Sequence, residues 1–237
     1  MGERVLSERV SRGVIRHVAE RFGTSVRGVP LEVYLPTQHP PRYLILAAQH
    51  GDEPESLVLL SHALRAVEAC DLAAAVVLAM NPDGLLLGTR GNANGVDLNR
   101  NFPTNNWGSA PIVYRWSSEF PRDVQLSAGV EAASEPETKA LLGLIERVKP
   151  EAVISIHAPL ACIDDPKDSA LGRWLADATD LPLVADVGFP TPGSFGTWCS
   201  ENGSRSVITF ELAHESNEAI RRRCEAAVIE LLCGRVP

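Results

Sequence analysis

The 237-residue sequence predicts an α/β fold, a mostly parallel sheet with helices on both faces. Short apolar runs of buried-strand type alternate with segments of helical periodicity along most of the chain. The residues best suited to chemistry fall at the carboxyl ends of those runs, where open α/β sheets bind ligands. No Gly/Ser- or Pro-rich stretch divides the chain, so residues 1–237 read as one domain, long enough for a single large core.

In chain order, residues 6 to 22 read as a surface helix, and Leu31–Leu35 alternates like an edge strand. Arg42–Gln49 is an apolar buried-strand run. Pro54 suits a first helical turn, and Leu57, Leu60, Leu64 and Val67 then recur at helical spacing to about Cys70. Ala73–Met80 is another buried strand, closed by the turn signal Asn81-Pro82-Asp83-Gly84. Residues 81 to 133 carry little periodicity, and so long an irregular stretch in a compact domain is often functional. Ser134-Glu135-Pro136-Glu137 reads as a capping box opening a helix to about Val148. Strand Ala152–Ile156, helix Ser169–Thr179, strands Leu183–Val187 and Ser206–Phe210, and helix Glu218–Leu232 complete the pattern.

Composition narrows the function. Twenty-two basic and 30 acidic residues give a net charge of −8, which disfavours nucleic acid or an anionic membrane as partner. An anionic substrate would need local arginines. The N-terminus lacks the apolar stretch of a signal peptide, and no run approaches the roughly 20 residues of a membrane helix. Five cysteines without CxxC spacing read as reduced thiols in a cytoplasmic protein. A homo-oligomer is left open.

His50 follows the run ending at Gln49, Glu53 comes three residues later, His157 follows Ile156, and Glu211 follows Phe210. Two histidines and a glutamate can hold a catalytic zinc with one position open, and imidazole and carboxylate without cysteine argue against a structural site. The HxxE spacing alone is weak, and His17, His39, His62 and His214 stay as alternative histidines; position at strand ends favours His50, Glu53 and His157.

The segment Gly95-Val96-Asp97-Leu98-Asn99-Arg100-Asn101-Phe102-Pro103 bears most weight. With His50-x-x-Glu53 upstream and Thr209-Phe210-Glu211-Leu212 downstream, it resembles the zinc carboxypeptidases of the carboxypeptidase A type. Within that family the sequence is similar to the bacterial branch that acts on murein peptides, through Gly91–Asn94, Val113–Trp116, Ser134–Thr138, Pro159–Ile163 and Thr191–Gly196. The resemblance implies a single-domain zinc carboxypeptidase-like fold with a mostly parallel mixed sheet, and one zinc per chain held by His50, Glu53 and His157. Asp97 matches a carboxylate that orients the first histidine, as metal-bound imidazoles usually require. Asn99 and Arg100 match the pair gripping the substrate's terminal carboxylate. Arg90 matches the oxyanion-stabilising arginine, and Glu211 the general base. Ser194, in the loop Thr191–Gly196, is a candidate substrate contact. Phe189 departs from the pattern, standing where many relatives carry a tyrosine.

The implied substrate is a small anionic murein tripeptide, L-alanyl-γ-D-glutamyl-meso-diaminopimelate, cleaved at the γ-D-glutamyl–diaminopimelate amide. Three rival readings remain: an ordinary metallocarboxypeptidase or an aspartoacylase- or succinylglutamate desuccinylase-like zinc deacylase; a cysteine hydrolase using Cys162 or Cys199; and a non-catalytic muropeptide-binding protein.

Overall fold

The computed structural model describes residues 13–115, 123–202 and 206–237. Its centre is an eight-stranded mixed sheet: β1 (Ala19–Thr24), β2 (Pro30–Tyr34), β3 (Tyr43–Ala47), β4 (Ala74–Val77), β7 (Ala152–His157), β8 (Leu160–Asp164), β9 (Leu183–Val184) and β10 (Ser206–Ala213). The spatial order is β1-β2-β4-β3-β7-β10-β8-β9. The middle pairs β4–β3, β3–β7 and β7–β10 are parallel, whereas β1–β2, β2–β4 and β10–β8 are antiparallel. A small hairpin, β5 (Ile112–Arg115) with β6 (Asp123–Leu126), lies apart from the main sheet.

Helices cover both faces, as the alternation predicts. On one, α1 (Pro54–Ala66), α4 (Ala170–Thr179) and α6 (Asn217–Leu232) pack Leu60, Leu64, Leu175, Val228 and Leu231 onto Ile45, Val76, Ile154 and Ile208. On the other, α3 (Pro136–Val148) and α5 (Phe195–Glu201) press Leu141, Ile145, Phe195 and Trp198 onto Leu44, Leu46, Val77 and Val153. Each fully buried side chain of this kind contributes about 1.5–3 kcal/mol through removal from water. Because β3, β4 and β7 are buried on both faces, their sequences read as continuous apolar runs.

Several expectations need correction. The helix read over residues 6 to 22 extends beyond the described residues before position 13; from 13 onward the chain is irregular, then enters β1. Leu31–Leu35 does alternate, but β1 pairs outside it, so β2 is not the edge. The edge strand β1 carries an irregularity in register between Arg21 and Gly23. The opposite edge, β9, is only two residues long, shorter than Leu183–Val187. The Asn81–Gly84 turn is the start of a short helix, α2 (Pro82–Leu87), whose first turn is capped by Asn81 accepting from the Gly84 amide at 2.9 Å. Ser134 does not form a capping box. Its hydroxyl donates to Glu135, and the Glu137 carboxylate accepts from the Val26 amide and from Asn92.

The irregular stretch is held by side-chain amides. Asn101 donates to Ala128 O, Glu131 O and Ser134 Oγ and accepts from the Glu135 amide. Asn92 bridges Glu135 and Glu137 at 2.7 and 3.1 Å. Among the described residues no helix is long and apolar enough to cross a membrane.

Candidate active site

The site forms where β3, β7 and β10 run in parallel and end together. Ala48 takes a left-handed turn (φ 52°) directly after β3. Ser56 fixes the loop that follows, accepting from the Ala48 amide at 3.0 Å and donating to the Glu53 carbonyl at 2.7 Å. Glu53 occupies the N-cap position of α1 but its side chain makes no cap; the Ser56 amide meets the Glu53 carbonyl at 3.3 Å instead. The Glu53 carboxylate turns inward to the histidines.

His157 ends β7 and lies opposite Glu211 in the parallel ladder. Nδ1 of His50 is 2.8 Å from Glu53 Oε1, Nδ1 of His157 is 2.9 Å from Glu53 Oε2, and the two Nδ1 atoms are 3.1 Å apart. The outer nitrogens are anchored, His50 Nε2 on Asp97 at 3.1 Å and His157 Nε2 on Ser155 Oγ at 3.0 Å. Both rings are thus turned so that Nδ1 faces Glu53. All three side chains are buried, and they are the one group of this kind among the described residues able to hold a metal ion. The donor set, two imidazole nitrogens and a carboxylate with their outer atoms fixed, suits zinc. His39 and His214 are exposed, and His17 bonds the Val67 carbonyl, so none of these three joins the group.

Charge around the site is tightly paired. Arg90 donates Nε to Asp97 and Nη1 to Glu53, each at 3.0 Å, and lies over the Tyr114 ring at 4.3 Å. Burial lowers the Arg90 pKa, but Asp97 and Glu53 outweigh it, so its charge is permanent. Burial and Arg90 push His50 down, yet Glu53 and Asp97 raise it to about 9. Burial would raise Glu53 and Asp97, but the surrounding cationic groups hold both below the usual carboxylate range. The site therefore favours a positive species between its imidazoles. Burial raises Glu211, opposed by His157 and reinforced by Glu53; its carboxylate accepts a 3.4 Å bond from the Leu160 amide.

One cavity of about 570 Å³ joins these groups to the substrate candidates. Asp97 caps the 3₁₀ turn Leu98–Arg100 by accepting from the Asn99 amide. Asn99 Oδ1 accepts from the Phe195 amide at 2.9 Å, leaving its NH₂ as the end suited to an anion. Arg100 is nearly buried and donates Nη1 to the Asn99 carbonyl at 2.7 Å. Gly193 (φ 69°) packs against the Arg100 carbonyl so closely that a Cβ would collide with it, which binds the loop Thr191–Gly196 to this turn. Ser194 lines the cavity, while its hydroxyl also caps α5 by accepting from the Thr197 amide. Phe189 is half exposed on the same cavity. Among the residues quoted for the resemblance, Trp116 lies outside the described residues.

Three contributors carry no role in the sequence reading. Ser155 holds His157, and its position two residues earlier on the same strand, hence the same face, is a usable signal. Tyr114 supports Arg90 from the hairpin. Gln49 lines the cavity with a buried side chain and no hydrogen-bond partner. Cys162 and Cys199 are buried and form no disulfide, and burial followed by Glu211 pushes the Cys162 thiol up to about 11, the reverse of an activated nucleophile.

The fold and the histidine–carboxylate centre define a metal-dependent peptidase, and the sequence model described as zinc carboxypeptidase matches residues 17–163. The chain belongs to the zinc carboxypeptidase family, and its cofactor is zinc. It is 52% identical over 231 residues to murein peptide amidase A of Escherichia coli strain K12, covering 96% of this chain and 95% of the relative. The Vibrio campbellii relative of the same name is 47% identical over 230 residues, with 96% and 92% covered. Among solved structures, murein-tripeptide amidase MpaA from Escherichia coli O157 superposes with a TM-score of 0.90 at 46% identity, covering 95% of both chains. Bovine thrombin-activatable fibrinolysis inhibitor shares the fold at 22% identity, with a TM-score of 0.72, covering 98% of this chain and 93% of its own.

Proposed function

We propose that this chain is a zinc-dependent murein peptide amidase that hydrolyses the amide between γ-D-glutamate and meso-diaminopimelate in the tripeptide L-alanyl-γ-D-glutamyl-meso-diaminopimelate. Residues 1–237 act as one catalytic domain, and the work is recycling or degradation of cell-wall peptide in the cytoplasm. The observation that carries the reading is that one cavity is lined by His50, Glu53, His157, Glu211, Asn99 and Arg100. Similarity to the murein peptide amidases along nearly the whole chain supports the choice of substrate.

In this reading His50, Glu53 and His157 hold the metal and Asp97 orients His50. Zinc, when bound there, supplies a Lewis acid that acidifies water and polarises the scissile carbonyl. Glu211 takes the proton of the attacking water and passes it to the leaving amine; its upward shift suits both transfers. Arg90 adds fixed positive charge beside the developing oxyanion, a role whose removal typically costs about 10²–10³ in rate. Arg100 and the Asn99 amide receive the free carboxylate of diaminopimelate, and Ser194 contacts the same residue. The local arginines reconcile an anionic substrate with a chain of net charge −8.

The test is hydrolysis of the tripeptide with and without chelator, alongside metal analysis. We expect about one zinc per chain and chelator-sensitive release of diaminopimelate. Glu211→Gln should keep the zinc and lower kcat by about 10²–10⁴. Near-normal turnover of that variant would remove Glu211 as the base, and a metal-free active protein would overturn the whole reading.

A further inference from the structure

The cavity extends past the reacting groups. Along the antiparallel pair β10–β8, Glu211 lies opposite Cys162 and Thr209 lies opposite Asp164. Thr209 and Asp164 both line the cavity. Two residues along a strand is about 7 Å, so Asp164 stands roughly that far beyond the level of the base. Its neighbour Asp165 is committed to the protein, accepting from the Lys167 and Ser169 amides and the Ser169 hydroxyl. Asp164 differs: the residue is only partly buried, lines the cavity, and leaves its Oδ1 without a hydrogen-bond partner.

We propose that Asp164 is a specificity-determining residue that receives an ammonium group at the far end of the leaving residue's side chain. The proposal rests on the amidase reading above. A carboxylate whose charge is opposed by burial and by two acidic neighbours favours a ligand cation that places positive charge beside it in the cavity. Burial first, then Asp186 and Asp165, push the Asp164 carboxyl up to about 6, as expected of a group short of positive charge. The length also agrees. In diaminopimelate the second amino-bearing carbon lies four C–C bonds from the first, about 5 Å when extended. That span is of the same order as the step from the level of Glu211 to Asp164, and Asn99 and Arg100 line the same cavity.

The experiment uses the zinc-loaded full chain and two tripeptides. One ends in meso-diaminopimelate and the other in L-2-aminopimelate, which keeps the carbon chain and both carboxylates but lacks the distal ammonium. The wild type should favour the first by about 10- to 100-fold in kcat/KM, the range of one charge-assisted hydrogen bond. Asp164→Asn should abolish most of that preference. Equal kcat/KM for the two peptides in the wild type would overturn the proposal without recourse to any variant. So would a preference retained by a folded Asp164→Asn protein. Turnover of neither peptide would overturn the amidase reading and this proposal together.

Discussion

Glu53 shows how a single side chain can serve three neighbours while standing at a helix start it does not cap. The first turn of α1 takes no side-chain cap from Glu53, whose carboxylate accepts from His50, His157 and Arg90 instead. Asp164 gives a residue-scale prediction through its titration. Its carboxyl is raised to about 6, so it is charged above that pH and neutral below it. The groups around it are Asp186, Asp165 and Lys167, and the substrate ammonium stays protonated throughout this range. For the diaminopimelate peptide, kcat/KM should therefore fall as pH drops through about 6, since that ratio reports the free enzyme. That added fall should be missing for the 2-aminopimelate peptide and for Asp164→Asn, which keep only the fall set by protonation of Glu211; parallel profiles for both peptides would contradict it. At this scale the sequence exposes His50, Glu53 and His157 through strand-end position, and Asp97, Asn99 and Arg100 through their motif. Tyr114 stays hidden because its contact with Arg90 spans 24 positions in sequence and follows no local period.

At the scale of elements, the joint between the His50–Glu53 loop and α2 is set by two glycines. A Cβ on Gly51 would run into the backbone of Gly84 and Leu85. Gly51→Ala should lower stability by about 1–3 kcal/mol through overpacking, a fall in Tm of roughly 2–10 °C for a chain of this size. It should also weaken zinc retention by displacing His50 and Glu53. Thermal melts and metal analysis check both effects, and an unchanged Tm with full zinc would refute the close packing. Which elements are legible follows from burial. β3, β4 and β7 read clearly because both their faces are covered. β1 (AERFGT) does not, being a largely uncovered edge strand with few apolar residues. β8 goes unread because Leu160–Asp164 mixes exposed and buried positions over only five residues. The short helices α2 and α5 depend on the caps Asn81 and Ser194 in stretches whose Pro and Gly read as turns.

For the whole molecule, the three candidate ligands come from the loop between β3 and α1 and from the end of β7, far apart in sequence and joined only in the folded sheet. A metal that binds there and not to the unfolded chain stabilises by mass action. Chelation should therefore lower Tm while the far-ultraviolet circular dichroism at 25 °C stays the same, because Asp97, Ser155 and Arg90 continue to hold the side chains. A Tm indifferent to zinc would mean that the folded chain does not bind the metal in preference to the unfolded one.

The two margins of the sheet bear on behaviour at high concentration. An open strand offers unpaired N–H and C=O groups on which another chain can build. Here one margin is irregular in register at Arg21–Gly23 and the other is two residues long. Neither presents a long, flat template. The fold thus blunts the route by which parallel α/β sheets stack into aggregates, and it does so on strands remote in sequence from His50 and Glu53. The margins can be altered for solubility without touching the metal centre.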